Sequence, residues 1–266
     1  MPRALSFAPI FLILVLPASA QLVHKGAAAN IALSKTLQPY DVISVKQNNT
    51  GDETFGMHLG EDSLVATNVP LKMLIEFAYD IKPDLIVGLT GPADNARFDV
   101  TAKVIPAGGA PLPKLTDSQL AAMIIPLLAD RFHLKAHLEP QIKPVYDLVV
   151  SKGGTKFKLD SGDHFGSWNI SGDNDKTVLT ISRASMSDLA AILADQVHRE
   201  VIDKTGLPGA ADITLKYSDD VAQTQGGADV ISIFTAVEEQ LGLKLQPSKG
   251  PVDTLVVDSV EMPTPD

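Results

Sequence analysis

Two stretches of this chain carry the same landmarks in the same order, and that repetition constrains the fold more than any other feature of the sequence. In the first stretch the apolar run Leu64-Val65-Ala66 leads into Leu71, Leu74, Ile75 and Ala78, whose spacing puts them on one helical face. Pro70 precedes them, where the start of a helix accepts proline. In the second, Val178-Leu179-Thr180-Ile181 leads into Met186, Leu189, Ala190 and Leu193, opened by Ser185 and Asp188 as a capping box. Leu74 and Leu189 lie 115 positions apart (189 minus 74), and Thr90-Gly91 and Thr205-Gly206 keep that interval.

The match continues. Asp99-Val100-Thr101-Ala102-Lys103 and Asp212-Ile213-Thr214-Leu215-Lys216 share the order Asp, β-branched, Thr, apolar, Lys and alternate as strands do. A second helix follows in each stretch. One runs from Thr116, with Gln119 completing a capping box, through Leu120, Met123, Ile124, Leu127 and Leu128; the other runs from Ser232 through Ile233, Val237 and Leu241. Each stretch then closes on a strand pair ending in Pro-Val-x-x-Leu-Val-Val, at Pro144 to Val150 and Pro251 to Val257. The expected unit is β-α-β-β-α-β-β, two helices on one small mixed sheet, and the expected fold is α+β by tandem duplication of that unit.

The boundaries follow from this. Residues 1–20 read as a signal peptide: Arg3 is basic, Ile10 to Leu16 are apolar, and Ala18-Ser19-Ala20 is a small-residue cleavage site. Residues 21–40 read as an N-terminal tail and 41–150 as the first unit, its preceding edge strand Asp41 to Lys46 included. Residues 151–177 form a Gly/Ser/Asp-rich linker or exposed hairpin that Trp168 would anchor, 178–261 the second unit, and 262–266 a C-terminal tail. Pro126, inside the second helix of the first unit, is expected to kink it.

Charge and composition narrow the partners. With 22 Lys+Arg against 32 Asp+Glu the net charge is −10, which repels phosphate backbones and excludes nucleic acid as a natural partner. No run of apolar residues reaches a membrane-spanning length, so no integral span is expected. Cysteine is absent, which removes disulfides, thiolate metal sites and a cysteine nucleophile. The expected location is periplasmic or extracellular.

Asp41 to Lys46, Ala66 to Ile75, Leu127-Leu-Ala-Asp-Arg-Phe132, Val201-Ile-Asp-Lys-Thr-Gly-Leu207 and Phe234 to Leu243 together resemble a secreted family of unknown function expanded in Acidobacteria. Some of its relatives are fused to metallopeptidases of the antibiotic-sensor type, which implies an extracytoplasmic sensing role. Val201 to Gly206 and Gln240 to Leu243 also resemble the short N-terminal domains of secretins and TonB-dependent receptors. Neither resemblance supplies catalytic residues.

His133 and His137 are the pair that most suggests zinc, since a four-residue helical spacing would align two imidazoles. Here Phe132, Leu134, Ala136 and Leu138 alternate with them, which is strand periodicity and separates the two by roughly 13 Å. His133 also matches Gly242, at a helix C-terminus where histidine is tolerated. His24, His58, His164 and His198 are scattered. Neither Gly-x-Ser-x-Gly nor Ser-x-x-Lys occurs. The acids Asp160, Asp163, Asp173 and Asp175 lack calcium-loop spacing, and glycines 51, 56 and 60 read as a hairpin tip. No catalytic, cofactor-binding or metal residue is assigned. The expected function is a non-catalytic binding module for an envelope protein or peptide; the alternatives are an extracytoplasmic hydrolase and a structural envelope component. A cleft with convergent ionisable groups would point to the enzyme, and an exposed apolar edge strand to the binder.

Overall fold

The computed structural model describes residues 25–105, 114–161, 166–173, 176–218 and 231–263. The fold is α+β, with helices packed on sheets of three and four strands. The first sheet has the order β1-β5-β3-β2, from strands Val42–Gln47 (β1), Gly56–Leu59 (β2), Ser63–Pro70 (β3) and Arg97–Lys103 (β5). The second has the order β10-β8-β7, from Ser167–Asp173 (β7), Lys176–Ser185 (β8) and Ala210–Tyr217 (β10). The third joins both stretches in the order β4-β11-β6-β9, from Ile86–Val87 (β4), Lys135–Val150 (β6), Val201–Asp203 (β9) and Leu243–Ser259 (β11).

Helices Leu71–Tyr79 (α2) and Met186–Gln196 (α6) each follow a strand directly, and their central Leu74 and Leu189 are fully buried as the periodicity predicts. Both predicted capping boxes form, Thr116 with Gln119 and Ser185 with Asp188. Pro126 does not kink a continuous helix. The chain breaks at Met123 into Asp117–Ala122 (α4) and Ile124–Arg131 (α5), so Pro126 falls in the first turn of α5, where its missing N–H has no intrahelical partner to lose. The matching helix of the second stretch, Ile233–Ala236 (α7), passes into a π-helical turn over Val237–Leu241.

Three other expectations are corrected. Part of the N-terminal tail is the helix Lys25–Ser34 (α1), held because Ala27 is buried and Asn30 Nδ2 donates to the Ala78 carbonyl at 3.0 Å. Trp168 does not anchor a linker: it stands on β7, opposite Ile181 of β8, with half its surface exposed. Each closing strand pair is one long strand, β6 or β11, and the two pair with each other along their length.

The prolines explain why the long strands remain whole. Tyr146 N–H donates outward to the Glu200 carbonyl at 2.8 Å, so even-numbered β6 residues turn their amide position away from β11. Pro140 and Pro144 share that parity, and Pro251 and Pro247 face Ile142 and Tyr146 across the ladder. None of the four removes a β6–β11 bond, and each leaves no N–H for a strand to pair with at its own point on the ribbon's flanks.

The ribbon also ties the stretches together. Short β4 pairs in parallel with β11, and short β9 with β6, so each stretch places its short strand on the other's long one. The core under the first sheet includes Ile202, Val252, Leu255 and Val257 from the second stretch; the core under the second sheet includes Leu148 from the first. Each stretch keeps a sheet of its own, but the closing strands, expected to belong to those sheets, form a third that the two stretches share.

A further likeness lies in the backbone. Asn68 and Arg183 adopt left-handed φ of 53° and 54° at bulges in β3 and β8. Asp99 Oδ1 accepts the Asn68 N–H at 2.8 Å, and Asp212 Oδ1 accepts the Arg183 N–H at 2.9 Å.

Candidate functional site

Between the first-stretch helices and α6 lies a cleft of about 970 Å³. One wall is built from α1, α2 and α4, which present Asn30, Met73, Glu76, Phe77, Ser118 and Ala121. The other wall is α6, with Ser187, Ala190, Ala191, Ala194 and Asp195. Val201 and Ile202 of β9 form the floor, and both are buried. Small residues on α6 leave the space open, while Met73 and Phe77 give the facing wall an apolar, adaptable surface.

Lys82 closes one end. Its Nζ lies 3.2 Å from Asp195 and 3.1 Å from Glu200, crossing from the first stretch to the end of α6. Glu200 is almost wholly buried and Lys82 largely so; the ion pair therefore links the two walls while carrying a desolvation cost. Asp80, in a left-handed conformation at the end of α2, packs against Gly26 of α1, where a Cβ would collide with its carboxylate.

Glu76 differs from its neighbours. Burial pushes its carboxyl up from the usual range, with Lys72, one turn earlier, partly opposing the shift. Other lining carboxylates are engaged: Asp188 in its capping box, and Asp203 as acceptor from the Thr205 amide at 2.9 Å. Among the lining residues Lys82 is the lone cation. The cleft combines an apolar floor with an excess of negative charge and contains no histidine.

A second, smaller depression of about 380 Å³ lies by the Asn48 to Thr54 loop. Asn68 Nδ2 donates to the Asp52 and Thr54 carbonyls at 2.6 and 2.7 Å, and Asn48 Nδ2 to Asp99 at 2.9 Å. The side-chain hydrogen bond from Asn48 and the amide of Asn68 hold the Asp99 carboxyl below its ordinary range. These bonds shape the loop internally, but it is not a hairpin tip: it joins β1 to β2 at opposite edges of the sheet, and of the three glycines only Gly60 lies at a hairpin turn, between β2 and β3.

The histidines go to separate places. His133 is the left-handed residue after α5, with φ of 46°, and β6 begins only at Lys135, so strand alternation holds for His137 but not for His133. Gly242, its match, has φ of 68°. His137 Nδ1 lies 2.9 Å from Asp258, and His133 Nδ1 lies 3.6 Å from Glu261. His58 is on β2 and His198 follows α6. His24, His164, Asp163, Asp175 and residues 1–20, read as a signal peptide, lie outside the described residues. Asp160 pairs by backbone with Ala210. Among the described residues no group of three or more metal-ligating side chains converges, and no helix is long and apolar enough to cross a membrane.

Glu76, Lys82, Asp195 and Glu200 were not legible as a site. The two acids on the α6 side stand more than a hundred positions from Lys82. Only the exchange of β4 and β9 between the long strands brings them together.

The comparisons with known proteins fit this picture of a scaffold without an assigned chemistry. No curated protein and no solved structure matches the chain. A family model does, and its span opens on the second residue of α2 and runs to the end of β11, covering the ribbon and the α6 wall while leaving α1 and β1 to β3 outside. The chain belongs to the family described as a protein of unknown function, DUF3738, whose model matches residues 72–260.

Proposed function

We propose that this protein is exported and acts as a non-catalytic binding module built on a duplicated unit, its ligand an amphipathic, positively charged segment of an envelope protein or peptide seated between α2 and α6. The cleft carries the reading: about 970 Å³, with a floor of Val201 and Ile202 and a rim where carboxylates outnumber the single Lys82. An apolar face would bury on the floor while cationic side chains meet Glu76 and its neighbours. The exposed Trp168 and Ile170 on β7 also favour a surface made for association. A sensing role rests on the family resemblance alone.

The test is titration with a synthetic Leu/Lys amphipathic peptide and with its Leu/Glu counterpart. The basic peptide should bind, weaken as salt rises, and lose binding in Ala191→Trp, a substitution at an exposed wall position that fills the cleft without touching the core. Equal binding of both peptides, or binding unchanged by Ala191→Trp, would remove the cleft from the reading. Export is tested by expressing residues 1–266 in a bacterial host and sequencing the product's N-terminus, where Gln21 is expected.

One observation favours the hydrolase as a second reading. A carboxyl pushed up by burial, as at Glu76, suits a general acid. The hydroxyls of Ser118 and Ser187 line the same space. Activity on chromogenic esters or glycosides that vanishes in Glu76→Gln, while peptide binding persists, would establish that reading over the first.

A further inference from the structure

The outer edge of β10 is unfinished. Lys216 N–H donates to Gln240 Oε1 at 3.0 Å, and the Lys216 carbonyl accepts from Gln240 Nε2 at 2.7 Å, so this residue turns its backbone away from β8. At the other end Ala210 exchanges two backbone bonds with Asp160, at 2.7 and 2.9 Å. Asp212 and Thr214 share the parity of these two, so their N–H and C=O groups also point outward. Among the described residues nothing bonds to those backbone groups. In the first sheet the matching edge of β5 is completed by β1, with Ser44 opposite Thr101 and Val42 opposite Lys103.

We infer that the occupant of this edge is a second copy of this chain, paired antiparallel through β10 about a two-fold axis at Thr214. The argument is self-complementarity. Such an axis sets Asp212 beside Lys216 of the partner subunit, sets Lys216 beside Asp212 of the partner subunit, and brings the two Thr214 residues together. All three side chains lie on the exposed face of β10. Opposite charges and a Thr–Thr pair are favoured cross-strand neighbours, and each facing pair exchanges its backbone bonds, joining two three-stranded sheets into one.

Gln240 is the cover of this edge. Its counterpart in the first stretch is Arg131, since Phe132-His133 matches Leu241-Gly242, and the Arg131 guanidinium reaches past β5 to donate to the Ile43 carbonyl of the added strand β1. A side chain at this position either satisfies a bare edge or clasps the strand laid on it. For the second copy to dock, Gln240 must first leave the Lys216 backbone.

Sedimentation of the full chain over a concentration series tests the pairing. The wild type should form a weak, concentration-dependent dimer, and Gln240→Ala, which uncovers the edge, should form a tighter one. Thr214→Pro should be monomeric at every concentration, yet should fold, because the N–H it removes bonds nothing among the described residues. Lys216→Asp sets like charges opposite each other twice and should weaken association on the order of tenfold. Asp212→Lys combined with Lys216→Asp should restore it. A dimer indifferent to Thr214→Pro and to the charge exchange, or monomers for both wild type and Gln240→Ala throughout the series, overturns the proposal. If Thr214→Pro does not fold, loss in Lys216→Asp and its restoration in the charge exchange decide alone.

Discussion

The first and second sheets start from the same plan and are finished differently. Strand β5 carries β1 on its outer edge, with Val45 buried beneath, and α1 lies over the neighbouring helices. On its outer edge, among the described residues, strand β10 carries an isolated bridge to Asp160 and the side-chain amide of Gln240. At the opposite edge, Met57 and Leu59 of β2 pack against the first core, whereas Trp168 and Ile170 of β7 stand half exposed beside the buried Ile181 and Leu179 to which they pair. One scaffold thus supports a closed sheet and an open one. Among the described residues the first sheet's edges are covered within the chain, whereas the second sheet leaves strand backbone and apolar side chains exposed.

Whether the halves are also separate in stability is the hardest test of that contrast, and Leu255 is the residue to change. It belongs to β11, at the end of the second stretch, yet it is fully buried in the first core. Leu255→Ala should cost about 2–5 kcal/mol through lost contacts and a cavity. Because the β6–β11 ribbon is common to both cores, calorimetry should show one transition shifted as a whole. Two transitions, with only one displaced, would make the halves independent and the ribbon a mere tether.

A smaller but sharper contrast lies at the matched helix ends. His133 and Gly242 both adopt left-handed backbone, but a Cβ at Gly242 would collide with the Gly154 carbonyl. Gly242→Ala should therefore cost about 2–3 kcal/mol, combining left-handed strain with overpacking. His133→Gly relieves strain and loosens the unfolded chain by similar amounts, so it should fall within about 0.5 kcal/mol of wild type in chemical denaturation. Equal effects would show that the two ends are used alike and remove the contrast.

Next come the two bulges. Asp99 and Asp212 receive the same backbone N–H, but Asn68 is buried and Arg183 is exposed. Asp99→Ala should cost about 1–2 kcal/mol by stranding a poorly hydrated amide, and Asp212→Ala less than about 1, since water replaces the carboxylate. The Asp99 carboxyl is held below its ordinary range, so its contribution is complete above the unfolded-state value and is lost as pH falls through the folded-state one. Urea midpoints measured at neutral and acid pH should converge for wild type and Asp99→Ala at the acid end.

Local structure was open to reading from the sequence, and pairing across the molecule was not. Leu74, Leu189, both capping boxes and the left-handed site shared by His133 and Gly242 follow from residues within a few positions of one another. The continuity of β6 was hidden by Pro140 and Pro144, which punctuate a strand unless one knows which way their nitrogens face. The shared third sheet was missed for a related reason: nothing local distinguishes a short strand that pairs within its own unit from one, like β4 or β9, that pairs with the other. α1 was missed because an alanine-rich segment with no polar face gives no periodic signal. The cleft follows from that exchange and was invisible until the strands were placed.

The least effect is expected at the cleft itself, where α2 presents Glu76 and α6 presents Ala191 at the matching position, 115 residues on (191 minus 76). Burial raises the Glu76 carboxyl above its unfolded value, which means that ionising it is harder in the folded chain than in the unfolded one. The sign follows. Below the carboxylate range Glu76 is protonated in both states and has no effect through charge; as pH rises through that range the unfolded chain ionises more readily, and stability falls. Glu76→Gln should therefore be slightly more stable than wild type at neutral pH, and the gain should fade as the pH is lowered below the ordinary carboxylate value. Ala191→Glu, on an exposed position of the facing wall, should show no such pH-dependent loss. The same Gln substitution should weaken the Leu/Lys peptide, so the residue that costs the free protein stability is the one that binding compensates. If Glu76→Gln instead destabilised the protein at neutral pH and left the peptide unaffected, the carboxylate would be serving the fold, and the two walls of the cleft would differ for a reason of packing alone.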